Sequence, residues 1–287
     1  MGRVCMVTGA TSGLGLATAR QLVARGATVV IAGRSAAKCA DVAAALRAGA
    51  PPGGSVDGLV ADLADQRAVR RLAAEVERRH PRLDVLVNNA GATFPHRRIT
   101  PEGVEMTLAV NHLAPFLLTT LLLDRLRAGA PSRIVNVASV AHQNARLDFD
   151  DLALDHGYRP FAAYGRSKLA NLLFTYELAR RLEGTGVTAN AVHPGLVRTA
   201  LGDHSGALRR VGWHLLHVAY RKSSLSADEG ADAITFLASS PEVEGVTGRY
   251  FVDRKPVPSS PASRDAVAAA RLWTLSEQLV APSADGA

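Results

Sequence analysis

The segment Thr8-Gly9-Ala10-Thr11-Ser12-Gly13-Leu14-Gly15 lies between an apolar run at 3–8 and a helix-like stretch at 14–25. Few folds accept three glycines at that junction. Gly9 permits a tight turn, Gly13 lets backbone approach a pyrophosphate, and Gly15 lets helix and strand pack closely. The free N–H groups and dipole of the helix N-terminus then favour an anion. A glycine cluster alone also describes an ordinary tight turn. The strand before it and the helix after it give the context a dinucleotide needs. Gly9, Thr11, Ser12, Gly13, Leu14 and Gly15 are therefore the first candidate cofactor contacts.

The rest of the chain repeats the strand–helix alternation. Short apolar runs at 3–8, 28–32, 56–61, 83–88, 133–139, 188–193 and 248–252 read as strands buried on both faces. Helical patterns occupy 14–25, 36–47, 66–80, 101–126, 162–182 and 227–238, with a further short helix at 265–279. Right-handed crossovers between them build a doubly wound (Rossmann) α/β fold. The expectation is a three-layer sandwich with a seven-stranded parallel sheet, one domain over 1–287. Residues 143–161 and 200–226 fit the alternation poorly and are read as pocket walls and lid. Residues 254–287 form a C-terminal extension.

A chain of 287 residues buries about 75% of its unfolded surface and needs no staple. Cys5 and Cys39 have no metal spacing, which points to a reducing, cytoplasmic setting. No run reaches the ~18 apolar residues of an integral membrane segment, and the N-terminus does not read as a signal peptide. The formal charge of +7 admits nucleic acid, an anionic surface or an anionic ligand. The excess is scattered arginine without a basic block, so nucleic acid is not expected as a partner. Trp213 and its apolar neighbours read as a substrate lid before a membrane contact. His214 and His217 lack a third ligand, so no metal is expected.

The second strand ends in Gly33-Arg34. A carboxylate near this place would bind the ribose hydroxyls of NAD. Gly33 offers none, and Arg34 offers a fork for a 2′-phosphate, so NADP(H) is the expected cofactor. Asp62 and Leu63, after the third strand, belong beside the adenine, although Asp62 reads equally as a helix cap.

Tyr164 and Lys168 are four apart at the start of a helix, on one face. A phenol titrates near pH ~10, and a neighbouring ammonium favours its ionised form. Such a pair can move a proton to or from a carbinol oxygen. Alone, the spacing is common by accident.

In order with the other motifs, the sequence resembles the short-chain dehydrogenase/reductase family over residues 3 to about 252. Thr8–Gly15 resembles its cofactor turn, and Asn88-Asn89-Ala90-Gly91 its fourth-strand motif. Asn111 matches its helix asparagine and Ser139 its fifth-strand serine. Tyr164/Lys168 and His193-Pro194-Gly195 with Thr199 follow. The resemblance implies that Tyr164 is the general acid/base and that Ser139 binds the substrate oxygen. Lys168 would hold the nicotinamide ribose and lower the Tyr164 pKa, and Asn111 would position a water linking Lys168 to solvent. Asn89, Ala90, Gly91, Pro194, Gly195, Val197 and Thr199 would border the cofactor.

Residues 111–118, 167–171, 192–199 and 271–273 resemble the retinol-dehydrogenase-like branch, which includes WW-domain-containing oxidoreductases. The implied partner is a small carbonyl or alcohol substrate. A homodimer or homotetramer is implied too, unless the C-terminal segment blocks the usual contacts. A non-catalytic NADP-binding sensor is the alternative function. A serine hydrolase is excluded by the lack of a Gly-x-Ser-x-Gly elbow.

Overall fold

The computed structural model describes residues 2–197 and 225–281. The sheet is built from β1 (Val4–Thr8), β2 (Thr28–Gly33), β3 (Ser55–Val60), β4 (Val85–Asn88), β5 (Ser132–Val137), β6 (Val187–His193), β7 (Tyr250–Val252) and β8 (Lys255–Pro256). Their order is β3-β2-β1-β4-β5-β6-β7-β8. The first seven are parallel, as expected. The expected sheet was one strand short: the two-residue β8 turns back antiparallel on β7, pairing Val252 with Lys255. So brief a strand has no periodicity to detect.

Helices cover both faces: α1 (Gly13–Val23), α2 (Ala36–Ala48), α3 (Gln66–Arg79), α4 (Met106–Leu108), α5 (Ala114–Leu121), α6 (Leu123–Ala128), α7 (Pro160–Arg181), α8 (Ala227–Ser239) and α9 (Ala266–Leu279). Alternate strand residues serve opposite layers, as the pleat requires. Met6, Val30, Leu86 and Ile134 join the core under α3, α5, α7 and α9. Cys5, Val29, Val87 and Val135 join the core under α1, α2 and α8. The three layers follow from that alternation.

The helix expected over 101–126 is divided. Thr100 to Gly103 close a turn through Gly103 N–H to Thr100 O at 2.9 Å. The Glu105 carboxylate then caps the start of α4 by accepting from the N–H groups of Thr107 and Leu108. A π-helical turn, Ala109–Leu113, joins α4 to α5, and the chain breaks again at Leu122. The π turn carries Asn111.

The segment at 143–161 packs as a wall against the loop after β4. Arg97 donates to Ala153 O at 2.9 Å and pairs with Asp155, while Tyr158 Oη donates to Phe94 O at 2.9 Å. The lid reading at 200–226 falls almost wholly on residues 198–224, outside the described residues, as do Trp213, His214 and His217. Val197 and Leu225, the described residues on either side, form a parallel bridge. In the C-terminal extension, α9 packs on α7. Arg181 stacks over Trp273 at 4.1 Å, and Trp273 meets Phe116 edge-on at 5.0 Å.

Candidate active site

The sequence-predicted contacts that are described gather at the C-terminal ends of the parallel strands, where open α/β sheets bind ligands. Gly9 follows β1, Arg34 follows β2, Asp62 follows β3, and Asn89 follows β4. Ser139 and Pro194 lie just past β5 and β6. The strand order reverses between β1 and β4, and the glycine turn sits there.

Gly9 and Gly13 have φ of 67° and 53°, in the region that favours glycine. The turn is tied to β2 by Gly9 N–H to Ala32 O at 2.9 Å. Its third glycine has a more local cause than helix–strand packing. A Cβ on Gly15 would lie 2.4 Å from Gly9 O and 2.5 Å from Asn89 Nδ2. Asn89 Nδ2 donates to Thr8 O at 2.8 Å, so its amide fastens the β4 end to the turn. Thr8 Oγ1 adds to this by accepting from the N–H groups of Asn89 and Ala90, both at 3.1 Å. The first N–H groups of α1 have no partner within the helix. Positive-φ glycines and helix N–H groups without partners inside the helix fit a dinucleotide pyrophosphate.

Gly33 answers a packing demand as well as an electrostatic one. A Cβ there would lie 2.5 Å from Thr11 Cγ2. Arg34 is exposed beside the N-terminus of α2, and no carboxylate occurs from Gly33 to Lys38. Asp62 is not a helix cap. Its Oδ1 accepts from Ala64 N–H at 3.0 Å, and Asp65 caps α3. Leu63 packs on the core.

Ser139, Tyr164 and Lys168 come together. The Ser139 hydroxyl accepts from Ala141 N–H at 3.2 Å and is close enough to Tyr164 to favour its ionised form. The Lys168 ammonium lies 5.5 Å from the Tyr164 ring centre and donates to Val137 O at 2.8 Å. Burial pushes the Tyr164 phenol up to about 12, partly offset by Ser139. Burial also pulls Lys168 down to about 8. In this arrangement burial is the largest influence on the phenol, and the hydrogen bond of the Lys168 ammonium goes to Val137.

Asn111 is fully buried and its amide is engaged. Nδ2 donates to Ala92 O and Ser167 Oγ, both at 3.0 Å, and Oδ1 accepts from Ala92 N–H at 2.8 Å. A Cβ on Gly91 would stand 3.5 Å from both Asn111 Oδ1 and Lys168 Nζ, so that glycine keeps the space between them open. Pro194, Gly195 and Val197 lie past β6, with Gly195 at φ 84° against Leu225. Thr199 is outside the described residues.

Several supporting residues around Asn88 of the fourth-strand motif escape a motif reading. Asn88 Nδ2 donates to Thr119 Oγ1 at 3.0 Å and to Asn136 Oδ1 at 2.8 Å. Asn136 Nδ2 continues to Thr175 Oγ1 at 2.9 Å. This buried line crosses from α5 through β4 and β5 to α7, beneath the site. Gly165 lets α7 approach the turn after Ser139, since a Cβ there would lie 2.9 Å from Ala141 O. The polar residues at 136 and 175 interrupt otherwise apolar patterns, which is the one signal that could have found them.

The profile of the short chain dehydrogenase family matches residues 3–208. Retinol dehydrogenase 14 of Mus musculus is 46% identical over 97% of this chain and 86% of its own. Retinol dehydrogenase 13 of Homo sapiens is 41% identical over 97% and 85%. A solved structure of an uncharacterized protein from Mycobacterium paratuberculosis has a TM-score of 0.78 and 38% identity, covering 97% of this chain and 93% of that one. These relatives bear out the retinol-dehydrogenase-like resemblance, and with the cofactor turn they support dehydrogenase/reductase activity with a nicotinamide cofactor, NAD(H) or NADP(H). Among the described residues no helix is long and apolar enough to cross a membrane. By the extent of the profile match and of its kinship with the retinol dehydrogenases, the chain belongs to the short chain dehydrogenase family.

Proposed function

We propose that the chain, working as one unit over 1–287, is an NADP(H)-dependent oxidoreductase that interconverts a ketone or aldehyde and an alcohol. The observation that carries this reading is the buried Lys168 ammonium, 5.5 Å from the Tyr164 ring and anchored to Val137 O on the strand that leads to Ser139.

The nicotinamide, when bound, supplies hydride for reduction and accepts it for oxidation. The protein orients and polarises the substrate. Ser139 holds the substrate oxygen, and Tyr164 gives that oxygen its proton in reduction or removes it in oxidation. A phenol held up near 12 is protonated at neutral pH, the form from which an acid gives its proton. Lys168 holds the nicotinamide ribose and a positive charge close to the phenol. The Asn111 amide is engaged, so its place in a water path falls to its main-chain carbonyl, in the π turn.

Arg34 binds the 2′-phosphate, and the glycine turn with the α1 N-terminus binds the pyrophosphate. Asp62 and Leu63 border the adenine. Asn89, Ala90 and Gly91 border the ribose side, and Pro194, Gly195, Val197 and Thr199 the nicotinamide. A reducing, cytoplasmic setting fits the two buried free thiols, Cys5 and Cys39.

The test is NADPH consumption across a panel of aldehydes and ketones. Turnover of at least one is expected. Tight NADPH binding without any turnover would establish the non-catalytic sensor instead.

A further inference from the structure

Two buried histidines tie the proposed catalytic groups to a part of the chain beyond the family match at 3–208. His142 Nδ1 lies 2.6 Å from Ser139 O, and its Nε2 accepts the Ser260 N–H at 3.2 Å. A nitrogen that accepts an N–H carries no proton, so Nδ1 carries it and donates to the Ser139 carbonyl. The imidazole thus bridges the backbone of Ser139 and that of Ser260. Ser260 is itself held: Ser263 Oγ donates to Ser260 O at 2.7 Å, and Tyr176 Oη and Ser259 Oγ are 2.6 Å apart. Tyr250 covers the imidazole edge-on at 5.2 Å.

His112 repeats the arrangement next to Asn111. Its Nε2 lies 2.9 Å from Ser276 Oγ on α9. That hydroxyl donates its only proton to Leu272 O at 2.7 Å, so Nε2 is the donor. Nδ1 is then unprotonated and buried without a hydrogen-bond partner, near Asn171 of α7. Asn171 stands three residues after Lys168 on the same helix.

We propose that residues 259–280 position the catalytic serine and asparagine, with His142 and His112 as the positioning residues. The inference rests on the function proposed above. In its terms, the C-terminal segment fixes where Ser139 and Asn111 stand, and the reacting groups of the family core depend on it.

Asparagine and glutamine separate this role from simple core filling. Asparagine places its amide near the position of Nδ1, glutamine near that of Nε2. His142→Asn keeps a donor for Ser139 O, whereas His142→Gln keeps only an acceptor for Ser260. A third variant, Ser260→Pro, suits the φ of −60° there, removes the N–H and sets its ring against His142 Nε2, so the bridge is broken. Measurement of kcat, KM for NADPH and melting temperature on the full chain decides the matter. His142→Gln is expected to lose roughly tenfold or more in kcat, with KM for NADPH nearly unchanged. His142→Asn should stay within about threefold of wild type. Ser260→Pro and Ser276→Ala should lower kcat and not NADPH binding. Equal kcat in the Asn and Gln variants, at whatever melting temperature, overturns the positioning role. A wild-type protein that turns over no carbonyl overturns the functional reading and this inference with it.

Discussion

The Lys168 ammonium donates to the Val137 carbonyl at 2.8 Å, two residues before Ser139. The lysine is therefore anchored to the strand that presents the serine. Burial holds its pKa down to about 8, while Tyr164 is pushed up to about 12. As pH rises through 8, Lys168 loses its charge and Tyr164 keeps its proton. Carbonyl reduction should then fall above about pH 8, with one ionisation in kcat/KM. A profile flat from pH 7 to about 9.5 would remove the ammonium from the chemistry.

In the proposed function Arg34 carries the choice between the two cofactors, since Gly33 is also demanded by Thr11. Arg34→Ala should weaken NADPH by roughly 10- to 100-fold, the worth of a charge-assisted hydrogen bond, and NADH by little. Titration of both cofactors by fluorescence reads this directly. Equal losses would show that Arg34 does not contact the 2′-phosphate.

Gly15 leaves no room for a methyl group, with Gly9 O at 2.4 Å and Asn89 Nδ2 at 2.5 Å from an added Cβ. Gly15→Ala should displace the Asn89 amide and open the turn. The expected result is a loss of cofactor affinity of tenfold or more, about 1.4 kcal/mol, with the far-ultraviolet circular dichroism unchanged. Wild-type affinity in a folded Gly15→Ala protein would mean that the turn does not cradle the cofactor.

Three buried histidines make the fold acid-sensitive. Desolvation lowers His112 and His193 to about 4 and also lowers His142. The unfolded chain binds these protons first, near pH ~6.5. Stability is therefore complete above that value and is lost as pH falls from about 6.5 toward 4, by roughly 2–3 kcal/mol for a group shifted that far. Urea unfolding at pH 7, 5.5 and 4.5 should show the decline, with a smaller slope in His112→Gln. A stability independent of pH across this window contradicts the buried, neutral assignment.

The sheet was legible because residues such as Met6 and Cys5 alternate between two cores, and strands buried on both faces are written as apolar runs. The glycine turn was legible because its spacing is fixed by close contacts. The division of the helix at 101–126 was not. Its π turn holds Asn111 within a continuous run of helix-compatible residues, and only the side-chain bonds to Ala92 and Ser167 select it. The partner of Lys168 was equally hidden, since Val137 offers a backbone carbonyl and no side-chain signal. Nor does sequence spacing show that Ser260 lies against His142, more than a hundred positions away.

In the proposed reaction Tyr164 moves the proton. Tyr164→Phe removes that hydroxyl and keeps the ring beside Lys168. The decisive measurement is steady-state NADPH oxidation with a turned-over carbonyl, alongside NADPH binding to the same variant. The expected result is a loss of roughly a hundred- to ten-thousandfold in kcat with cofactor affinity nearly unchanged. A Tyr164→Phe protein with wild-type kcat would contradict the account.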